Sequence, residues 1–120
     1  MGKTITITIT GSNIADCTLT LSDGGITEAK PGDYIQWVLG PNCGVAKITG
    51  IIVDKGSNDV FNPDPAALPN STTWKGQINP GIGIVEQESY TIIWIPTAGS
   101  GWLNQQKTCS YDPIIKVNPN

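Results

Sequence analysis

Lys3-Thr4-Ile5-Thr6-Ile7-Thr8-Ile9-Thr10 is the stretch that decides the fold class of this chain. Its isoleucines and threonines alternate strictly. Because successive side chains of a β-strand point to opposite faces, this run predicts a strand with one isoleucine face and one threonine face. We expect the isoleucine face to point towards a core.

Further alternating or β-branched runs follow along the chain, separated by the turn residues Gly, Pro, Asn and Asp. The predicted strands are residues 3–10, 17–21, 34–39, 45–53, 60–61, 72–78, 87–95 and 111–117. The longest helical candidate, around residues 64–68, is one turn bounded by prolines. The pattern predicts a single domain, residues 1–120, that folds as an all-β, two-sheet Greek-key sandwich of seven or eight strands.

The composition argues against an enzyme. The chain contains no histidine, which is the usual general base near neutral pH, and no arginine, which is the usual clamp for phosphate. Its serines therefore lack a histidine partner, and no glycine-rich phosphate loop is present. We interpret the acidic residues as solvated turn residues and therefore expect no catalytic residues.

The charge distribution argues against nucleic acid as a partner. The net charge is −3, and the seven basic residues are scattered singly, whereas a nucleic-acid binder needs a basic stripe. The chain has no apolar run of signal-peptide or transmembrane length. We therefore expect no membrane insertion, and a location in the cytoplasm or export without a cleaved leader.

One motif resembles a known family. The segment Lys30-Pro31-Gly32-Asp33-Tyr34-Ile35-Gln36-Trp37 resembles the K-P-G-D-x-V-x-W turn and strand of the cupredoxins, the blue-copper β-sandwiches. Glu88–Trp94 is similar to the strand that enters their ligand loop, and the likeness covers roughly residues 25–117. A Pro-Gly-Asp turn before such a strand also occurs in immunoglobulin-like domains. The resemblance implies a cupredoxin-like or immunoglobulin-like scaffold.

The copper site of that family is missing. Cupredoxins hold copper with two His, one Cys and usually a Met. This chain has no His, and its one methionine is Met1. The resemblance is therefore to a cupredoxin-like domain lacking the copper ligands, and we expect neither a metal nor another cofactor.

The chain has three cysteines. Cys17 alternates with Leu19 and Leu21, so we expect it to be a buried apolar side chain. In a cupredoxin-like layout the loops that carry Cys43 and Cys109 converge at one end of the sandwich. Three interpretations stay open: a Cys43–Cys109 disulfide, two free thiols in a reducing compartment, and a two-thiolate Cu(I) or Zn site without other soft ligands near in sequence.

The first remaining function class is a structural protein that self-associates with copies of itself into a filament or lattice. Only 14% of the residues are charged, which weakens repulsion between copies. The candidate assembly strand is Thr4, Ile5, Thr6, Ile7, Thr8 and Ile9, which is uncharged and lies at the chain end. An unblocked edge strand pairs readily with another chain. The alternative is that this strand pairs inside its own sandwich.

The second function class is a binding module for carbohydrate or a protein partner. Trp74 and Trp102 lie in or near predicted loops, with amide side chains close in sequence. Tryptophan beside amides is a common arrangement for holding a sugar ring. The same two rings could instead be buried at the ends of the sandwich. We expect the structural class, with the binding module as the alternative.

Overall fold

A computed structural model describes residues 2–53, 60–97 and 108–119. Over this part of the chain the backbone forms strands and turns, with no helix. Its ten strands are β1 (Thr4–Asn13), β2 (Thr18–Leu21), β3 (Ile26–Ala29), β4 (Tyr34–Leu39), β5 (Val45–Val53), β6 (Ala66–Ala67), β7 (Trp74–Gln77), β8 (Glu86–Pro96), β9 (Cys109–Tyr111) and β10 (Ile114–Val117).

The strands form two sheets. The first sheet has the order β2-β1-β4-β7-β6; the second has the order β3-β10-β8-β5, and β9 also pairs with β8. The pairs β1–β4 and β3–β10 are parallel, whereas the remaining pairs among the described strands are antiparallel. The predicted all-β, two-sheet sandwich is therefore confirmed, and both sheets are mixed.

Several strand boundaries differ from the sequence prediction. The run 111–117 is divided at Asp112 and Pro113 into β9 and β10, because proline cannot donate to a sheet. The short strands β3 and β6 were not predicted. The 60–61 run contributes only an isolated bridge between Phe61 and Ile78.

The core lies between the two sheets. Residues whose side chains are fully buried include, from the first sheet, Ile7, Ile9, Ile35 and Trp37, and from the second, Tyr90, Ile92, Trp94, Ile115 and Val117. Burying one such side chain stabilises the fold by about 1.5–3 kcal/mol. The predicted isoleucine face of β1 thus points into the core, although its first member, Ile5, is only half-buried.

The Pro31-Gly32-Asp33 turn joins β3 to β4. Gly32 has a φ of 87°, a left-handed conformation that glycine adopts without strain. The buried Asp33 carboxylate accepts two main-chain hydrogen bonds, from Lys3 at 3.1 Å and from Lys30 at 3.0 Å. This turn therefore also fixes the start of β1.

Candidate functional site

The N-terminal half of β1 is paired on one side by β4. The Lys3 carbonyl accepts a hydrogen bond from the Tyr34 N–H at 2.7 Å, and the Ile9 carbonyl accepts one from the Gly40 N–H at 2.9 Å. Backbone groups along a strand alternate in direction. The odd-numbered residues of this half therefore bond to β4, and the groups of Thr4, Thr6 and Thr8 point to the other side.

On that other side, β2 covers only the C-terminal half of β1. The pairing runs from Ile9–Leu21 to Asn13–Thr18. Ser22 then satisfies both backbone groups of Thr8: its Oγ accepts from the Thr8 N–H at 2.9 Å, and its N–H donates to the Thr8 carbonyl at 2.9 Å. After Ser22 the chain crosses to β3 in the second sheet.

Among the described residues, the backbone of Thr4 and Thr6 is consequently left open on this side. No strand among the described residues pairs there. We call the outward-facing N–H and C=O groups of Thr4 and Thr6 the open edge. Both threonine side chains are exposed on the outer face of the sheet, and Gln36 Nε2 donates to Thr6 Oγ1 at 3.1 Å.

The candidate assembly strand therefore pairs within its own sandwich, the alternative that the sequence left open. β4 pairs with it over Thr4–Ile9 and β2 pairs with it over Ile9–Asn13, so the side that faces β2 is open near its start. The sequence could not locate this boundary because the alternation is uniform from Thr4 to Thr10. The position at which the chain leaves β2, just after Ser22, sets the boundary.

A pair of apolar side chains is exposed between β7 and β8. Ile84 is 69% exposed and its neighbour Val85 is 63% exposed. Adjacent exposed aliphatic side chains are a feature of interaction surfaces. This pair was not predicted, although the signal is visible as aliphatic residues alternating with Gly81 and Gly83 just before a strand.

No family model matches the chain, and no curated protein matches its sequence. We therefore infer function from the geometry of the chain itself. In the described residues there is no helix of the length and apolar character needed to cross a bilayer.

Of the three interpretations left open for Cys43 and Cys109, the disulfide between them does not fit the structure. Cys109 is bonded to Cys17, which links the β1–β2 turn of the first sheet to β9 of the second. The expectation that Cys17 is only a buried apolar side chain is wrong. Cys17 lies in the turn, with a φ of 62°, so strand alternation does not govern the direction of its side chain.

Cys43 is a free, buried thiol whose Sγ lies 3.8 Å from the Val45 carbonyl oxygen. The sulfur of Cys109 is already bonded, so the interpretations with two free thiols or with a Cys43–Cys109 metal site do not fit either. Within residues 2–53, 60–97 and 108–119, no three His, Cys, Asp or Glu side chains lie together as a metal site requires.

Trp74 joins the two sheets at one flank of the sandwich. Its half-buried indole donates from Nε1 to the carbonyl of Ile48 on β5, at 3.2 Å. A sugar at Trp74 would therefore stack on the indole ring, but the indole N–H would not be free to bond to it. Trp102 lies outside the described residues, so a ligand at these two tryptophans stays a prediction.

A buried polar contact crosses the core. The Trp37 indole N–H on β4 donates to the Tyr90 hydroxyl on β8, at 3.1 Å. Burial raises the pKa of Tyr90 far above its ordinary value, although hydrogen bonds with Trp37 and Thr27 act in the opposite direction. Since Tyr90 is only 1% exposed, this hydroxyl joins the sheets and is not accessible to a substrate.

Proposed function

We propose that this chain is a non-catalytic structural subunit that associates with copies of itself into a filament or lattice. The observation that carries the proposal is the open edge of β1. A strand with unpaired backbone donors and acceptors is a template for a strand of another chain. The side chains that border the edge, Thr4 to Ile7, are uncharged.

The contrast with β5 supports this proposal. β5 is a nine-residue edge strand of the second sheet, and several features block it. It carries an exposed Lys47, register shifts next to Lys47 and Gly50, and the Trp74 indole bonded to Ile48. Charges, bulges and covering side chains are the usual protections of an edge.

The edge of β1 lacks those protections. Between Thr4 and Ile7 there is no charge and no proline, and the bulge of β1 lies further along, between Ile9 and Gly11. The other edge strands are short: β2 and β3 have four residues each and β6 has two. Among the described residues, we place the contact at the start of β1, where charge, proline and bulge are all absent from Thr4 to Ile7.

A filament or lattice needs more than one contact surface on each subunit. The exposed pair Ile84 and Val85 is the second surface that supports the proposal, since burying both would remove apolar area from water. It lies in the connection before β8, whereas the open edge lies in β1. The pair therefore belongs to a different segment of the chain from the open edge.

The finer part of the proposal concerns the scaffold. We propose that the sandwich is cupredoxin-like and lacks the copper ligands. The support is the segment that carries the resemblance: Pro31–Asp33 forms the turn, and Tyr34–Leu39 forms strand β4 with Trp37 buried in the core. The proposed scaffold is therefore a cupredoxin-like sandwich without the His and Met ligands that hold copper in that family.

Negative-stain electron microscopy of the purified protein over a range of concentrations tests the proposal. We expect ordered filaments or sheets at high concentration. The double variant Ile84→Ser/Val85→Ser should form only small particles, because it loses the apolar surface without touching a buried residue. Single particles of monomer size at every concentration for the unmodified chain would contradict the proposal.

A further inference from the structure

We infer that two copies of this chain pair through the open edge of β1, antiparallel and in a two-fold register centred on Ile5. The inference rests on the proposed function and specifies the first contact of the assembly. The occupant of the edge is a second copy of the same segment, joined to it strand to strand.

The hydrogen-bonding groups of the edge select this register. Thr4 and Thr6 each present one N–H and one C=O to the open side. In an antiparallel pair, residues that face each other alternate between exchanging two hydrogen bonds and exchanging none. If Ile5 faces Ile5 of the second copy, Thr4 faces Thr6 and Thr6 faces Thr4. All donors and acceptors of the edge are then satisfied.

The charges are compatible with this register. Lys3 is the only charged residue near the edge in sequence. With the two-fold axis at Ile5, Lys3 faces Ile7 of the second copy, so the two ammonium groups are not opposite each other. The threonines of both copies lie on the outer face, and the isoleucines lie on the core face.

The structure also limits the length of the contact. Pairing cannot extend past Ile7 because the N–H and C=O of Thr8 already form hydrogen bonds with Ser22. In this register Gly2 faces Thr8 of the second copy, whose N–H and C=O already bond to Ser22, so the pairing cannot extend before Lys3 either. The contact is therefore the segment from Lys3 to Ile7 on each copy.

Such a contact is isologous and closes at two copies. It would join two five-stranded first sheets into one continuous sheet. Because the paired segment is short, we expect a reversible dimer as the building unit. Growth beyond two copies needs a second surface, such as Ile84 and Val85.

A pair of double variants tests both the edge and the register. In Thr4→Lys/Thr6→Lys, lysines of the two copies face each other; in Thr4→Glu/Thr6→Lys, a glutamate faces a lysine at both positions. Both variants remove the same two exposed threonines. Sedimentation velocity at low salt should give a dimer dissociation constant about tenfold higher for the lysine pair than for the charge-matched pair.

The matched control is Thr18→Lys/Thr20→Lys, which places two lysines on exposed positions of β2 in the same sheet. It should dimerise like the unmodified chain. Equal dimerisation of Thr4→Lys/Thr6→Lys and the unmodified chain would overturn pairing at this edge while leaving self-association standing. Equal loss in both charge variants would overturn the register. A monomeric unmodified chain would overturn the proposed function as well.

A cysteine cross-link tests the register even if the charged variants fail to fold. In the register centred on Ile5, the two Ile5 residues form a non-hydrogen-bonded pair with Cα atoms about 4.5 Å apart, within the range of a disulfide. Ile5→Cys in a Cys43→Ala background should therefore give a covalent dimer under mild oxidation. Thr10→Cys in the same background should not, and equal yields from both would overturn the register.

Discussion

The Asp33 carboxylate accepts a hydrogen bond of 3.1 Å from the main-chain N–H of Lys3, thirty residues away in sequence. Its second oxygen accepts from the N–H of Lys30 at 3.0 Å. Asp33 is only 3% exposed, so water cannot replace either partner easily. The turn before β4 thereby fixes the start of β1, which is the segment that carries the open edge.

The first prediction concerns Asp33→Asn. An amide has one acceptor oxygen where the carboxylate has two, so one buried main-chain N–H loses its partner. We expect the free energy of unfolding to fall by about 1–3 kcal/mol, measured by urea denaturation. Asp64→Asn, an exposed position, is the matched control and should change it by less than about 0.5 kcal/mol. Equal effects would contradict this account of Asp33.

The second prediction concerns the cysteine pairing. Peptide mapping without reduction should yield a Cys17–Cys109 cross-linked peptide, and Cys43 should react with an alkylating agent only after unfolding, because it is buried. The disulfide spans 92 residues of sequence. Cys17→Ser should therefore lower the free energy of unfolding by about 2–5 kcal/mol. A Cys43–Cys109 peptide would contradict the pairing.

The third prediction is a loss of stability at high pH. Burial raises the folded-state pKa of Tyr90 above the ordinary tyrosine value of about 10. The contribution of the protonated Tyr90 to the free energy of unfolding is therefore fully present below about pH 10. It is lost as the pH rises further, because the unfolded chain ionises there while the folded chain stays protonated.

Urea denaturation between pH 8 and pH 11 measures this effect, in a Cys43→Ala background that removes the free thiol. The urea midpoint should fall more steeply with pH for the protein that carries Tyr90 than for the Tyr90→Phe variant. Tyr90→Phe should also be less stable at neutral pH, because the Trp37 N–H loses its acceptor. Parallel pH profiles for the two proteins would rule out the buried tyrosine as the cause.

The fourth prediction concerns Trp74→Phe. The variant keeps a ring at the flank but removes the N–H that bonds to the Ile48 carbonyl. We expect a loss of about 1 kcal/mol in the free energy of unfolding and an increased tendency to aggregate, since one protection of β5 is gone. Unchanged stability together with lost binding to a glycan array would instead support the alternative of a carbohydrate-binding module.

The fold was predictable because its signals are local. The alternation of Thr4 to Thr10 places Ile7 and Ile9 in the core, and the Pro31-Gly32-Asp33 turn marks the start of β4. Both follow from side-chain direction and turn chemistry, which depend on neighbouring residues only.

The site was not predictable because it depends on contacts between distant segments. The open edge exists because β2 ends at Leu21 and Ser22 bonds to Thr8, and no property of β1 itself reveals that boundary. Cys17 was assigned to a strand face, yet it lies in a turn and reaches Cys109 in the other sheet. Pairing between cysteines is likewise set by the fold and not by spacing.

Sedimentation velocity of the unmodified protein over a wide range of concentrations is the most direct test of self-association. We expect the weight-average sedimentation coefficient to rise with concentration, from monomer to dimer and then to larger species. A single species with the 12.7 kDa monomer mass at every concentration would contradict self-association.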